Sequence, residues 1–304
     1  MSLQTNLKGR LRNTSLPKSH GLMPVFEAVV NSIHSIEEKG NAEIGKIVLR
    51  INRATQGGLG LDAKALPPII GFTITDNGCG FDETNFKSFE TLDSDHKIDK
   101  GCRGVGRLMW LKVFDLVEVE SHFRDDGGEL KKRVFRFDDK LGVHGATVEA
   151  ATEQQSGTLI KLVGFDENFR KQVPIKGESI ANQLLEHVLW YFVRQGSAPK
   201  ILVEDAGEVF DLDHLLEEHM HASAFLETIT IRDYSFDLTH IKFRASVNKK
   251  HQLALCAANR LVKEESIQGK LPGLYGKISD ASGEFTYTCY VSSDYLNEHV
   301  RSER

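Results

Sequence analysis

Ile69-Ile70-Gly71-Phe72-Thr73-Ile74-Thr75-Asp76-Asn77-Gly78-Cys79-Gly80 is an apolar strand that runs into an acidic, glycine-bearing turn. A run this apolar is expected to be buried, so it delivers Asp76 to the end of a buried strand. A carboxylate there can accept a hydrogen bond from an exocyclic amine such as adenine N6. Guanine presents a carbonyl at that position and would leave the buried charge unpaired. Gly78 and Gly80 permit positive φ and the approach of a flat base to the backbone. The plain alternative is an Asp-Gly turn with no ligand.

Working outward, Leu22, Val25, Phe26, Val29, Ile33 and Ile36 fall on one side at about 100° per residue, which predicts a helix over Gly21–Lys39. Pro24 suits its first turn and Gly40-Asn41 its stop. Ile44–Asn52 alternates as a strand, and Ala54–Leu61 reads as a loop. Beyond the acidic turn a short helix is expected near Glu83–Phe89. A polar segment without apolar period follows, Leu92–Lys100, then the glycine run Gly101–Gly106 and a helical pattern over Arg107–Phe114. Strands are predicted at Asp115–Phe123, Leu130–Phe137, Gly145–Ala151 and Thr158–Val163, the first two joined by the turn Asp125-Asp126-Gly127-Gly128. This order predicts an α+β fold, a mixed sheet with helices on one face. A helix at Glu178–Arg194 then opens a second, smaller α/β unit, with strands at Ile201–Val203, Thr228–Ile231, Ile241–Ala245, Leu253–Ala257 and Phe285–Val291. The expected domains are residues 1–175 and 176–304.

The 304 residues are 40% hydrophobic and 27% charged, enough for real cores and unlike a disordered chain. The richest apolar stretch, Leu184–Val193, is broken by Glu186 and His187 and falls short of the roughly 18 residues of a membrane span. Met1–Lys18 is polar and basic with no apolar signal core. Cys79, Cys102, Cys256 and Cys289 form no CxxC pair, which argues against a zinc knuckle or a disulfide framework. A soluble, cytoplasmic protein is expected, with no membrane partner. The net charge of −5 is uneven: residues 1–175 carry 24 basic and 24 acidic side chains, residues 176–304 carry 14 and 19. Neither half has the positive field of a nucleic-acid-coating protein. Lys8, Arg10, Arg12 and Lys18 meet no acid before Glu27 and read as a solvated arm.

Three further features carry chemistry. On the first helix Glu27 and Asn31 sit one turn apart, away from the apolar stripe, with His34 and Glu38 beside them. The carboxylate can take a proton from an attacking water, and the amide oxygen is a hard, neutral ligand for Mg²⁺ alongside phosphates. Glu and Asn are equally ordinary on a solvent face. Lys100-Gly101-Cys102-Arg103-Gly104-Val105-Gly106-Arg107-Leu108 leads from a polar loop into a helix, so its backbone N–H groups and the helix end make an anion site. Its GxxGxG spacing is neither a dinucleotide fingerprint nor a P-loop, and such runs also serve as hinges. Last, Ser156-Gly157-Thr158 opens a strand, where the Thr158 hydroxyl can bond a ligand or cap its own turn.

Together, in this order, these segments resemble the GHKL superfamily of ATPases, which includes gyrase B, the large heat-shock chaperones, sensor histidine kinases and MutL. The resemblance covers about Gly21–Val163: Glu27-Ala28-Val29-Val30-Asn31-Ser32 as the N box, then Asp76-Asn77-Gly78-Cys79-Gly80, Gly101–Gly106 and Gly157-Thr158. It implies a two-layer α/β sandwich of Bergerat type that binds ATP with Mg²⁺. Glu27 would be the base that activates water and Asn31 the magnesium ligand. Asp76 would bind adenine N6, supported by Thr158 and flanked by Gly78 and Gly80. Lys100, Gly101, Arg103, Gly104, Val105 and Gly106 would contact the nucleotide, the glycines holding its phosphates. Leu92–Lys100 would be a lid that orders on ATP binding.

The chain departs from the family in two places, at His34 and at Cys79 and Cys102. Many relatives read NSxDA, whereas Asn31-Ser32-Ile33-His34-Ser35 puts His34 where an acid is common. His34 reads as a surface histidine, or more sharply as a pH-sensitive contact to the lid. Cys79 and Cys102, near the nucleotide, read as small packing residues. Only 26 residues, with a single His20, precede Glu27, which disfavours a self-contained kinase. The layout is nearest to MutL and gyrase B, in which a second domain supplies a lysine to the γ-phosphate. Leu253–Val262 loosely resembles part of that domain, and Lys249, Lys250 and Lys270 are the candidate lysines. The chain stops at Arg304 soon after a strand and the short helical stretch Asp294–Val300, so an N-terminal piece of a longer protein is expected. The resemblance implies a slow, Mg-dependent ATPase that works as a conformational switch and forms a homodimer on ATP binding. A non-hydrolysing nucleotide sensor and a GHKL-type protein kinase are the alternatives, and DNA or a protein client stays open.

Overall fold

The computed structural model describes residues 7–40, 42–55, 66–91, 106–194, 196–220, 224–244, 250–257, 260–280 and 283–300. They divide into two compact units. The first holds the described residues through His187 together with 197–212; the second holds those from Val188 up to Gly196 and from Asp213 onward.

In the first unit the elements are α1 (Leu7–Asn13), α2 (Met23–Lys39), β1 (Lys46–Arg53), β2 (Ile69–Asp76), α3 (Glu83–Glu90), α4 (Gly106–Val113), β3 (Phe114–Arg124), β4 (Leu130–Asp138), β5 (Gly142–Ala150), β6 (Gly157–Phe165), α5 (Glu167–Arg170), α6 (Gly177–Val193, here through His187), β7 (Lys200–Asp205) and β8 (Glu208–Asp211). The strands form one sheet in the order β5-β4-β3-β6-β2-β1-β7-β8. Neighbours are antiparallel except β1 and β7, which are parallel. α2 packs on β1, β2 and β6, and α4 on β3 and β6. The face beneath them carries Ile47, Leu49, Phe72, Ile74 and Leu162, all fully buried, while Ile70 and Val163 on the other face are 45% and 41% exposed. This alternation is the signature of a sheet with one covered face, and the result is the expected two-layer sandwich. Phe72, Phe114 and Phe165 meet at ring-centroid distances of 5.1 to 6.0 Å within it.

α2 follows the reading of its stripe: Leu22, Val25, Phe26, Val29, Ile33 and Ile36 are all buried. Pro24 sits in its first turn, and Gly40 ends it at φ 76° with its N–H on the Glu37 carbonyl. Two readings change. The basic start is not an arm over Leu7–Asn13 but a helix, because Leu11 buries itself to 8% exposure and α1 packs on α4. The strand expected at Ile201–Val203, assigned by sequence order to the second domain, joins the first sheet. There β7 pairs with β1, Ile47 opposite Ile201 and Leu49 opposite Val203. Arg53 fastens this join with paired bonds of 2.6 and 2.7 Å to the Asp205 carboxylate, both side chains being buried.

In the second unit, after α7 (Leu212–His219), β9 (Phe225–Ile231), β10 (Tyr234–Arg244), β11 (Gln252–Ala257), β12 (Arg260–Ser266), β13 (Ile278–Asp280) and β14 (Gly283–Ser292) form a sheet in the order β12-β11-β14-β10-β9, with β13 on β14. α8 (Asp294–His299) closes it, Leu296 joining Ala257, Cys289 and Val291 in the core. This is a second, smaller α/β unit. Among the described residues, no helix of either unit is long and apolar enough to cross a membrane.

Candidate functional site

The register of the first sheet sets a row of side chains across its helix-covered face. Ile47 lies opposite Asp76, Asp76 opposite Thr158, Thr158 opposite Ser121, and Ser121 opposite Arg133. Four neighbouring polar residues on a buried face must satisfy one another or the elements that cover them. Most of their polar atoms do, although Nε of Arg133 has no hydrogen-bond partner among the described residues. Ser121 is fully buried; its hydroxyl accepts from the Phe81 N–H at 2.8 Å and lies 3.3 Å from the Thr158 hydroxyl. Arg133 donates to the Phe81 and Asp82 carbonyls and pairs with Glu83.

Asp76 is 7% exposed. Its Oδ2 accepts from the Ser32 hydroxyl of α2 at 2.7 Å, and its Oδ1 accepts from the Gly78 N–H at 2.9 Å. Burial pushes its carboxyl up to about 6, against the downward pull of Ser32, the Gly78 and Thr158 backbones and the Lys39 charge. Lys39 is itself moved below its ordinary value, by burial first, with Asp76 opposing. Its ammonium donates to the Asn77 carbonyl at 2.7 Å and the Ser156 carbonyl at 3.4 Å.

The two glycines of the acidic turn do different work. Gly80 has φ 83°, and a Cβ there would stand 2.3 Å from the His122 carbonyl oxygen. Gly78 is not among the residues of positive φ, so it does not use the conformational freedom that glycine permits. It is glycine because α2 presses on it: a Cβ would stand 2.3 Å from Ser35 Oγ. The Cys79 N–H donates to both the carbonyl and the hydroxyl of Ser35, at 3.2 and 3.1 Å. Cys79 is half-buried, its Sγ 3.3 Å from that same hydroxyl, which fits a packing role.

Glu27 and Asn31 sit on α2 as read, the first half-buried and the second exposed. Glu27 Oε1 is 3.8 Å from Nε2 of His187 on α6. Gly106, first residue of α4, adjoins the same carboxylate: a Cβ there would be 3.7 Å from Oε2. The last glycine of the run and the candidate base are therefore neighbours. His34 is not a surface residue. It is 2% exposed, because the flank of α2 that the wheel turns toward solvent is covered at that turn. Lys100, Gly101, Arg103, Gly104 and Val105, the lid Leu92–Lys100 and Cys102 lie outside the described residues, as does Lys249.

Arg107, which follows the glycine run, is structural. It is buried, and its guanidinium donates to the carbonyls of Ser88 at 2.9 Å, Thr91 at 2.5 Å and Phe89, closing the end of α3. Sequence reading missed Ser32, Ser121, Lys39 and His187. Ser32 had a visible signal, a hydroxyl on the apolar side of an amphipathic helix; His187 had one too, a polar break in the richest apolar stretch.

Asp76, Thr158, Glu27, Asn31 and Gly106 thus belong to one compact unit, α2 joining the acid of β2 to the start of α4. A two-layer sandwich with these segments is the arrangement that the GHKL resemblance implies. No protein-family profile matches the chain, and no curated protein matches it. Among solved structures it is similar to the ATPase region of Saccharomyces cerevisiae topoisomerase II, at 13% identity and a TM-score of 0.49, over 90% of this chain and 73% of that one. The same region bound to ICRF-187 (dexrazoxane) is similar at 14% identity and a TM-score of 0.48, over 90% and 73%.

Proposed function

We propose that this chain is an ATP-binding and hydrolysing conformational switch of the GHKL type. The observation that carries the reading is the Asp76 carboxylate, buried at a strand end and held by Ser32 and Gly78 beside Thr158. Burying an acid costs free energy unless a partner uses it, and the adenine amine is such a partner. Glu27 is the base: it accepts a proton from water as the water oxygen attacks the γ-phosphorus and ADP leaves. The backbone of Lys100, Gly101, Arg103, Gly104, Val105 and Gly106 receives the phosphates, with Leu92–Lys100 as the lid.

Among the described residues no cluster of three or more His, Cys, Asp or Glu is placed to hold a metal. Asn31 offers an exposed, neutral amide oxygen one turn from Glu27. That donor fits Mg²⁺, which takes few protein oxygens beside phosphate and water. When bound, the ion would offset phosphate charge; Asn31 would hold it. Lid closure promotes pairing of two copies, and hydrolysis releases them. DNA and a protein are the two client classes, and a cytoplasmic setting suits both.

Nucleotide binding and turnover test this directly. Glu27→Ala should abolish phosphate release and leave ATP affinity within about threefold, whereas loss of both would remove Glu27 as the base. A second reading is a sensor that binds without hydrolysing; Lys270, one of the candidate lysines, pairs with Glu265 at 2.5 Å. Glu27-dependent phosphate release excludes the sensor.

A further inference from the structure

Glu27 presents its two oxygens to two different elements. Oε1 faces the His187 imidazole at 3.8 Å, beyond hydrogen-bond length but within ion-pair range. Oε2 faces Gly106, where a Cβ would stand 3.7 Å away. The imidazole is held in turn by Phe26, the chain neighbour of Glu27. Their ring centroids are 5.5 Å apart and tilted by 38°, and Phe26 is 4% exposed. The flanking residues of α6, Leu184 and Leu185, are buried, so the helix carries His187 on an anchored backbone. The pair itself is not sealed: the Glu27 and His187 side chains are 17% and 23% exposed, so small molecules reach it.

We propose that His187 is a positioning residue for Glu27. The Nε2 edge of the imidazole faces Oε1 and so turns Oε2 toward Gly106, where the glycine run ends. A carboxylate on a flexible two-carbon stem samples many orientations, and a base must point one oxygen at its proton. The inference rests on the ATPase reading above. In the step it serves, the water proton passes to Glu27 Oε2 and the water oxygen bonds to the γ-phosphorus. The bond from that phosphorus to the β,γ-bridging oxygen breaks, and its electron pair leaves on ADP. His187 neither gains nor loses a proton; its contribution is orientation.

The test measures kcat, KM and directly determined ATP affinity on the full chain, with melting temperature alongside. His187→Leu is expected to lower kcat about tenfold or more while ATP affinity stays within about twofold. His187→Gln, which keeps an N–H donor of similar reach, should recover most of the rate. In a Glu27→Gln background His187→Leu should have no further effect, because the group it positions is gone. Should His187→Leu fail to fold, His187→Asn keeps the polarity but is too short to reach Oε1, and it should show the same loss. Wild-type kcat in His187→Leu or His187→Asn overturns the proposal, and so does an equal fall in ATP affinity or an undiminished effect in the Glu27→Gln background. Turnover that depends on Glu27 but not on His187 overturns this inference alone. Wild-type turnover that Glu27→Gln leaves intact, or none at all, overturns the ATPase reading with it.

Discussion

Ser32 and Asp76, 44 residues apart in the chain, share a buried hydrogen bond of 2.7 Å that joins the first long helix to the end of a central strand. The bond stabilises the ionised acid, which burial otherwise disfavours.

Ser32→Ala removes that donor and leaves Asp76 Oδ2 in a buried site without it. The fold should lose about 1–3 kcal/mol in urea unfolding at pH 8. The acid should also titrate higher than in the wild type, so nucleotide affinity at pH 7 should fall and recover as the pH is raised. Affinity equal to wild type across that range would separate Ser32 from the base pocket.

Asp76→Asn should split stability from binding. The acid titrates at about 6 in the fold and at 3.8 by its ordinary value, so between those values the folded state binds more protons. The contribution of this group to stability is full below about pH 4 and is lost as the pH rises through about 6. Asparagine does not ionise. The substitution should therefore stabilise the nucleotide-free protein by on the order of 1–3 kcal/mol at pH 7.5, with little effect at pH 4. Adenine nucleotide affinity should fall at least tenfold. A variant that loses stability at pH 7.5 would contradict the sign.

Gly80 and Gly128 have nearly the same backbone angle, φ 83° and 82°, but different surroundings. A Cβ at Gly128 meets nothing within 4 Å, whereas at Gly80 it lies 2.3 Å from a backbone oxygen. Gly128→Ala should cost about 1 kcal/mol, the price of angle alone. Gly80→Ala should cost at least about 2 kcal/mol more, because backbone cannot step aside. Equal melting temperatures for the two variants would show that the turn yields.

Arg107→Met keeps the apolar stem and removes the donors to Ser88, Phe89 and Thr91. With those carbonyls left short of partners, hydrogen exchange at the end of α3 should speed up and stability should fall by about 2–4 kcal/mol. An unchanged exchange pattern would show that water replaces the guanidinium.

What could be read in the chain, and what could not, divides along the range of the forces involved. The α2 stripe and the apolar strand before Asp76 are local periodicities, and both lie where periodicity puts them. The row Asp76, Thr158, Ser121 depends on strand register, a pairing between distant segments that no period encodes. Gly78 illustrates the same limit: its turn pointed to conformational freedom, but the reason for glycine is pressure from Ser35, 43 positions earlier. β7 was misplaced because sequence order suggests a new unit after α6, while a parallel partner for β1 requires such a crossover. His34 needed the packing around α2, which a helical wheel does not contain.

α2 carries Ser32, Ser35 and Lys39 on the acidic turn and Glu27 and Asn31 on its open flank, within one unbroken helix. It is a lever without a joint. A displacement of the turn at Asp76 reaches Glu27 through rigid rise, with no pliable segment to absorb it. If Asp76 accepts the base and Glu27 activates water, as proposed, mutations that retune base choice should change turnover as well, and directed evolution of one trait without the other would first need a hinge inside this helix.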